Sequence, residues 1–318
     1  NNEFFEPSSG LIFRYNRPES SQTSRWWGGE PIWVTAIKQG RKASTSFWVG
    51  SEAEIGGIRP THWKKYDGSL RAQDRIDEMI GWLAMPAAER PALVAFYLDE
   101  TNEAGHRAGP EDPDVAKAVA NSDRVVASIL AGLRAKNIAA NLVIVSDHGM
   151  TATHKDRVVI LEDYVDRQKL QIDSDGSVVA LRPLDGDVDA LMKLVERIPH
   201  AKAYRAADLP AHFRLTGNPR IAPVWILPEE GWHVETRANF QKLSTRYAPR
   251  PYLGGDHGYD PKLRDMHGFF LAHGPAFRAG VELDPVENIH VYNLLCAILG
   301  LKPAPNDGDD RLARQTLR

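Results

Sequence analysis

The amino-acid sequence predicts an α/β fold in which buried strands alternate with helices. Residues 93–98 and 141–145 are apolar runs of strand length, as expected for strands that are buried in a parallel sheet. Apolar residues recur at helical spacing over 113–136, and Pro113 stands near the start of this helix. A strand, a helix and a second strand in this order form the right-handed crossover of a parallel sheet.

Elements on either side of this unit continue the α/β pattern. Residues 31–36 and 44–49 are predicted to be strand or helix-edge segments, and 72–82 an amphipathic helix. Near the end of the chain, 268–272 is predicted to return to the sheet as a strand. A closing helix is then predicted over 290–301.

The region between these parts has a different pattern, with short strands and turns. Asp175-Gly176 and the segment 229–231 are turn signals, and each is predicted to connect the two strands of a hairpin. A short helix is predicted over 188–198. We interpret residues 168–245 as a small α+β insertion within a single domain that spans 1–318.

Composition and charge exclude several classes of protein. The 318 residues include 39 Lys and Arg against 42 Asp and Glu, which gives a formal net charge of −3. Because proteins that bind nucleic-acid duplexes usually carry a basic excess, this balance argues against such a partner. No apolar run approaches the ~18 residues that a membrane span needs. The single cysteine, Cys296, lies in an apolar stretch and cannot form an internal disulfide.

Potential metal ligands follow two of the predicted strands and precede a third. The first strand is followed by His106 and the second by Asp147 and His148, while His257 lies in a glycine-containing segment before the third. In an open α/β sheet, ligands bind at the carboxyl ends of the strands, so these side chains can lie close together. One such histidine is more often structural, but three in three strand-end loops favour a metal site. Imidazole and carboxylate suit zinc, and two ions can stabilise both the attacking and the leaving oxygen of a phosphoryl transfer.

The same segments carry motifs of a known family. The chain contains in order Tyr97-x-Asp-x-x-Asn102-x-x-Gly105-His106-x-x-Gly109-Pro110, Ser146-Asp-His-Gly-Met150 and Asp256-His-Gly-Tyr-Asp260. These motifs resemble those of the nucleotide pyrophosphatase/phosphodiesterase family of the alkaline phosphatase superfamily. Further matches extend the resemblance over nearly the whole chain, from Gly29-Glu-Pro-Ile-Trp33 to Asn288-Ile-His-Val-Tyr-Asn293. The resemblance implies an alkaline-phosphatase-like three-layer sandwich, with a mostly parallel central sheet flanked by helices.

The resemblance also implies a site that holds two Zn²⁺ ions. One ion would be bound by Asn102, His106 and His257. The second would be bound by Asp147, His148 and a further aspartate. The implied reaction is attack by a threonine on phosphorus, followed by hydrolysis of the phospho-threonine intermediate.

Substrate contacts are implied in the same way. Asn2 matches the asparagine that donates a hydrogen bond to a phosphate oxygen, and Tyr97 matches the tyrosine that stacks on the nucleobase. Phe47 and Trp48 are further aromatic residues that fit a flat base. The histidines outside the motifs, including His233, are interpreted as structural or surface residues.

Two features depart from the family pattern. The family's threonine nucleophile and its remaining aspartate lie N-terminal to the position that Asn2 matches. We therefore expect the chain to lack the first segment of the domain and, expressed alone, to be poorly folded and inactive. The second departure is Asn102, where the family has aspartate. Because an amide oxygen is a weaker zinc ligand than a carboxylate, we expect one metal to bind less tightly, unless Asp99 or Glu103 assists.

The predicted function is hydrolysis of nucleotide phosphodiester or pyrophosphate bonds by a zinc-dependent enzyme. Two alternatives stay open at this point. Asn102 is compatible with an impaired or non-catalytic relative that binds nucleotides. The aromatic residues also fit choline or phospholipid diesters, which some branches of the family cleave. The resemblance further implies a periplasmic or secreted protein, and the sequence predicts no oligomeric state.

Overall fold

The computed structural model describes residues 2–215, 217–250 and 252–318. The strands in this part of the chain are β1 (Glu3–Glu6), β2 (Leu11–Arg14), β3 (Ala43–Ser46), β4 (Leu93–Phe96), β5 (Leu142–Val145), β6 (Thr151–Ala152), β7 (Val158–Ile160), β8 (Leu170–Ser174), β9 (Val179–Pro183), β10 (Ala201–Arg205), β11 (Val224–Pro228), β12 (His233–Glu235), β13 (Gly255–Asp256) and β14 (Phe270–His273). The helices are α1 (Pro18–Ser21), α2 (Ile32–Lys38), α3 (Ala72–Leu83), α4 (Glu100–Ala108), α5 (Pro113–Ala135), α6 (Val188–Val195), α7 (Arg237–Arg246), α8 (Val291–Leu299) and α9 (Arg311–Thr316). Among these described helices, none combines the length and apolarity that crossing a bilayer requires.

The chain forms two compact units, each assembled from three stretches of sequence. Unit 1 comprises the start of the chain up to Arg14, Asp99–Ala120 and Ser146–Phe269. Unit 2 comprises Tyr15–Leu98, Asn121–Val145 and Phe270–Arg318.

Unit 2 contains the predicted strands β4, β5 and β14. β3 and β4 pair in parallel, with Ala43 opposite Leu93. β14 pairs with β5 in antiparallel orientation, with His273 opposite Leu142. Helix α3, which was predicted from its amphipathic pattern, buries Ile76 in a cluster with residues of α5. Residues 31–36, which the sequence predicted as a strand or helix-edge segment, lie mostly in helix α2. Residues 44–49, predicted in the same way, overlap strand β3.

Unit 1 contains a four-stranded sheet in the order β10-β11-β9-β8. β8 and β9 pair in antiparallel orientation around Asp175-Gly176, which confirms the first predicted hairpin. Helix α6 covers this sheet, and its Leu191 and Val195 pack with fully buried sheet residues such as Leu181. The boundaries of the insertion, 168–245, and the single-domain organisation stay predictions.

The second predicted hairpin is wrong. β11 precedes the turn at 229–231 but pairs with β10 and β9, not with β12. Because both edges of β11 are already occupied, the strand after the turn has no edge of β11 to join. β12 instead pairs in parallel with β7, so that His233 lies opposite Val158. All three residues of β12 are buried, and this pairing brings His233 close to β13.

Candidate metal centre

Three segments of unit 1 bring the predicted histidine ligands together. His106 lies on α4, which packs against β13. β13 pairs with β6 and is followed directly by His257. His148 stands two residues before Met150, at the start of the short segment that leads into β6. The β13–β6 pairing therefore connects the loop that contains His148 to the loop that contains His257.

The imidazole ring of His257 contacts the rings of both other histidines. The rings of His148 and His257 are stacked, with 3.4 Å between their centroids. The centroids of His106 and His257 are 5.0 Å apart. His106 places Nδ1 3.0 Å from the carbonyl oxygen of Gly255, and His148 places Nδ1 2.7 Å from the carbonyl oxygen of Gly149. When Nδ1 donates to these carbonyls, Nε2 of each ring remains as the ligand atom, which is the usual arrangement for histidines that bind metals.

His257 is electrostatically suited to bind a cation. Burial, and then the neighbouring His148, lower the pKa of His257 to about 4. The ring is therefore neutral at physiological pH, and the neutral form is the one that donates an electron pair to a metal.

A carboxylate lies against the same histidines. Asp256 has a ligand atom within 4.8 Å of those of His106 and His257. Burial by itself would raise the pKa of Asp256, but His233, and then His106, hold this pKa below its ordinary value. The carboxylate is therefore ionised, and it contributes a negative charge to the centre.

The remaining predicted ligands differ in their surroundings. Asn102 lies one helical turn before His106, on the same face of α4, and its Oδ1 is buried with no hydrogen-bond partner among the described residues. A buried acceptor without a donor fits the ligand of a cation. Asp147 is largely exposed, and its Oδ1 lies 3.5 Å from Nε2 of His148. Together the imidazole, carboxylate and amide groups fit a metal ion.

A buried network that the sequence did not predict extends from Asp256. Nε2 of His233 lies 3.1 Å from Oδ2 of Asp256, and Nδ1 of His233 lies 2.7 Å from the Tyr252 hydroxyl oxygen. Tyr252 donates in turn to Oε1 of Glu235 at 2.7 Å. Asn239 donates to the other carboxylate oxygen of Glu235 at 2.6 Å. His233 is thus a structural residue, as interpreted from the sequence, but it contacts the candidate centre.

Glu235 gives this network a pH-dependent effect on stability. Burial, and then the charge of Asp175, raise the pKa of Glu235 from 4.5 to about 7. A carboxyl group whose pKa is higher in the folded than in the unfolded state makes folding less favourable as the pH rises through this interval. We expect Glu235→Gln to remove this effect. Relative to wild type, the variant should gain about 3 kcal/mol of unfolding free energy between pH 4.5 and pH values above 7.

Denaturant unfolding of both proteins over this pH range measures the difference. Groups such as His257 titrate in both proteins, so their effect cancels in the comparison. The loss of a carboxylate oxygen facing Asn239 shifts the variant by a constant amount at every pH. A difference between the two proteins that does not change with pH would therefore contradict the prediction.

The predicted substrate-binding aromatic residues belong to unit 2. The rings of Trp48 and Tyr97 meet edge to face, with 6.4 Å between centroids. Phe47 is buried and adopts a left-handed backbone conformation with φ of 62°, which is rare for a bulky side chain. Asn2, in unit 1, is exposed just before β1. The roles of these four residues stay predictions.

Arg75 supports the backbone of both aromatic segments. Its guanidinium donates to the Oγ and carbonyl oxygen of Ser46 at 3.0 and 3.2 Å, and to the carbonyl oxygen of Tyr97 at 2.6 Å. It also lies over the rings of Phe47 and Phe96, 4.3 and 4.1 Å from their centroids. The side chain is 7% exposed, so that water does not replace these donors.

We expect Arg75→Met to lower the free energy of unfolding by about 3 kcal/mol, because three acceptors lose a buried charged donor. Arg71→Met is the matched control, since Arg71 precedes the same helix and its side chain is 79% exposed beside Asp74. The control should leave the free energy of unfolding nearly unchanged, because exposed ion pairs contribute little to stability. Urea unfolding measures both variants, and equal effects would contradict the role given to Arg75.

The chain is similar to known proteins over most of its length. Residues 1–260 match the model of the type I phosphodiesterase/nucleotide pyrophosphatase family. Venom phosphodiesterase CdcPDE of Crotalus durissus collilineatus is 38% identical over 304 residues, which cover 91% of this chain and 36% of that protein. Ectonucleotide pyrophosphatase/phosphodiesterase family member 3 of Bos taurus is 34% identical over 295 residues, 89% of this chain and 33% of that protein. The chain thus spans about a third of the length of these curated relatives.

Solved structures show the same fold. Murine ectonucleotide pyrophosphatase/phosphodiesterase 5 matches with a TM-score of 0.90 and 27% identity, over 100% of this chain and 83% of that chain. An inactive threonine-to-alanine variant of the murine protein, in complex with AMP, matches with the same TM-score over 99% of this chain and 82% of that chain. These matches confirm the alkaline-phosphatase-like α/β fold. The motifs, the family model and the fold agree, and the chain belongs to the type I phosphodiesterase/nucleotide pyrophosphatase family of hydrolases.

Proposed function

We propose that the whole protein is a zinc-dependent phosphodiesterase that hydrolyses nucleotide phosphodiester or pyrophosphate bonds. The observation that carries this proposal is the contact of three imidazoles in one place, with the carboxylate of Asp256 and the unpartnered Oδ1 of Asn102. The AMP that is bound to the murine relative supports a nucleotide substrate.

Each ligand in the chain has a role in this proposal. Asn102, His106 and His257 would hold one Zn²⁺ ion, and Asp147 and His148 would contribute to the second. When bound, the two ions would stabilise negative charge on the phosphate oxygens during attack and departure. The carbonyl oxygens that accept from His106 and His148 orient these rings, so that the ligand atoms are in place before the substrate arrives.

The remaining roles follow the family. The nucleophile would be a threonine that the family places N-terminal to the position matched by Asn2. Its oxygen would bond to phosphorus as the bond from phosphorus to the leaving alcohol or phosphate oxygen breaks, and water would then cleave the phospho-threonine and free the threonine. Asn2 would donate to a phosphate oxygen, and Tyr97, with Phe47 and Trp48, would bind the base. We also propose an extracytoplasmic location, which is supported by the venom and ectonucleotide relatives.

The test is hydrolysis of a nitrophenyl ester of a nucleotide by the full-length protein. We expect activity that a chelator abolishes and that added zinc restores. A substrate panel that includes a choline diester and a phospholipid distinguishes the substrate classes, and the nucleotide ester should have the highest kcat/KM. Activity that is absent, or that is insensitive to the chelator, would rule out the proposed reaction.

A further inference from the structure

The ion that we propose beside His106 would have no negatively charged ligand among the residues assigned to it. The three ligands that we propose for one ion, Asn102, His106 and His257, are all neutral donors. A divalent cation that leaves water for a site without a negative charge loses hydration energy that neutral ligands recover only in part. A carboxylate is therefore expected close to these ligands.

Asp256 is placed to provide that charge. Its Oδ1 accepts the backbone N–H of His257 at 2.9 Å and lies 3.6 Å from Nδ1 of His106. The carboxylate therefore lies against both histidines of the same proposed ion. Nδ1 of His106 also faces the carbonyl oxygen of Gly255, at 3.0 Å, so both oxygens lie near the same ring nitrogen. The Gly255 carbonyl accepts the Nδ1–H, so Asp256, at 3.6 Å, acts on the ring through its charge rather than through a hydrogen bond.

The second oxygen of Asp256 faces a buried histidine at ion-pair distance. Oδ2 lies 3.1 Å from Nε2 of His233, whose side chain is 1% exposed. His233 is fixed in turn by the Tyr252 hydroxyl, 2.7 Å from its other nitrogen. Asp256 thus lies between His106, the backbone N–H of His257 and the buried His233.

Glu103 is less suited to the same role. Its side chain is 58% exposed and lies 4.0 Å from Arg246. A solvent-exposed carboxylate beside an arginine contributes little to the field at a partly buried centre. Of Glu103 and Asp256, only Asp256 contacts the proposed ligands in the described residues.

We propose that Asp256 supplies, through His106 and His257, the negative charge that Asn102 does not bring to the metal centre, and that His233 holds this carboxylate in position. The inference rests on the proposed function, because it concerns the same metal site. It assigns Asp256 and His233 as positioning residues, and neither is placed in contact with substrate.

The test is a double-mutant cycle in the full-length protein, with zinc affinity as the measured quantity. Competition with a chromophoric chelator gives the number of ions bound and their dissociation constants for wild type, Asp256→Asn, Asn102→Asp and the double variant. We expect Asp256→Asn to weaken the binding of one ion by about 10- to 100-fold. Asn102→Asp should recover most of this loss in the Asp256→Asn background, and should change wild type much less.

The cycle separates a charge role from a purely structural one. If Asp256 only maintains the local fold, a carboxylate at position 102 does not replace it, and Asn102→Asp changes zinc affinity by the same factor in both backgrounds. That additive result would overturn the inference. His233→Gln provides a second variant in case Asp256→Asn does not fold, and it should weaken zinc binding in a way that Asn102→Asp again reduces.

Asp260→Asn is the matched control. Asp260 lies in the same loop and its Oδ1 is 2.9 Å from Nε2 of His212, so the variant also removes a carboxylate from a histidine. It should leave zinc affinity within about twofold of wild type, since surface ion pairs contribute little. A loss equal to that of Asp256→Asn would contradict the specific role of Asp256.

Failure of the inference is distinguishable from failure of the proposed function. If wild type binds no zinc, the metal-dependent function and the inference both fall. If wild type binds zinc and hydrolyses the nucleotide ester, but Asp256→Asn binds zinc equally well, only the inference falls.

Discussion

His257→Ala should reduce metal-dependent hydrolysis by about a thousandfold, because a lost ligand removes several kcal/mol of charge stabilisation in the transition state. His257 contacts both other imidazoles, with its ring stacked on His148 and its centroid 5.0 Å from that of His106. The variant therefore disturbs both proposed ions. Steady-state hydrolysis of a nucleotide nitrophenyl ester, with zinc in excess, measures the loss.

A second measurement on the same variant does not depend on catalysis. Since the pKa of His257 is lowered from 6.5 to about 4, the folded metal-free protein binds this proton less readily than the unfolded chain. Stability is therefore lost as the pH falls from 6.5 towards 4, and His257→Ala should remove this part of the loss. In denaturant unfolding of the metal-free proteins, the free energy of unfolding of the variant should rise relative to that of wild type as the pH falls.

His200→Ala is the matched control for both measurements. His200 lies in the same unit, with a side chain that is 44% exposed and a ring that stacks on Trp232 at 3.6 Å between centroids. The control should keep activity within about twofold, since surface substitutions have small effects. If both alanine variants were equally active, His257 would have no place in the reaction.

The elements that the sequence predicted well are those whose pattern is local. The long helix α5, the amphipathic helix α3 and the apolar strand β4 each carry their pattern within their own residues. The turn at Asp175-Gly176 likewise determines the pairing of the strands on either side of it. The pairing of β12 could not be predicted in this way. It depends on which edges of β11 are already occupied, and this is decided by strands far away in the sequence.

Some residues of the candidate site were predictable from the sequence and others were not, for the same reason. His106, His148 and His257 were predictable because they follow or precede strands in motifs of recognisable spacing, and the structure brings all three into contact. His233 and its contact with Asp256 were not predictable. The strand that carries His233 was expected in a hairpin with β11, which would have left no reason to place it beside β13. Because this strand pairing was predicted wrongly, the contact between His233 and Asp256 was not predicted either.

Gly149→Ala should lower the free energy of unfolding by more than about 3 kcal/mol, because an added Cβ meets backbone atoms that cannot rotate away. At Gly149 the new carbon would overlap the carbonyl oxygen of Asp265 and approach that of His267 to 2.7 Å. The segment is also tied there by the Gly149 N–H, which donates to the carbonyl oxygen of Met266 at 3.0 Å. Relief of the overlap requires the two backbone segments to separate.

The same separation should weaken metal binding, since Nδ1 of His148 is oriented by the carbonyl oxygen of Gly149. Urea unfolding and zinc titration of the full-length variant should therefore both change. Gly81→Ala is the control, because Gly81 lies inside α3 and an added Cβ there has no atom within 4 Å. Alanine in an open helix position should stabilise the protein by about 0.5–1 kcal/mol and leave zinc affinity unchanged. Both substitutions add the same carbon. If the free energy of unfolding falls for Gly149→Ala and rises for Gly81→Ala, the contact with 265–267 decides the outcome. Equal changes in the two variants would contradict this explanation.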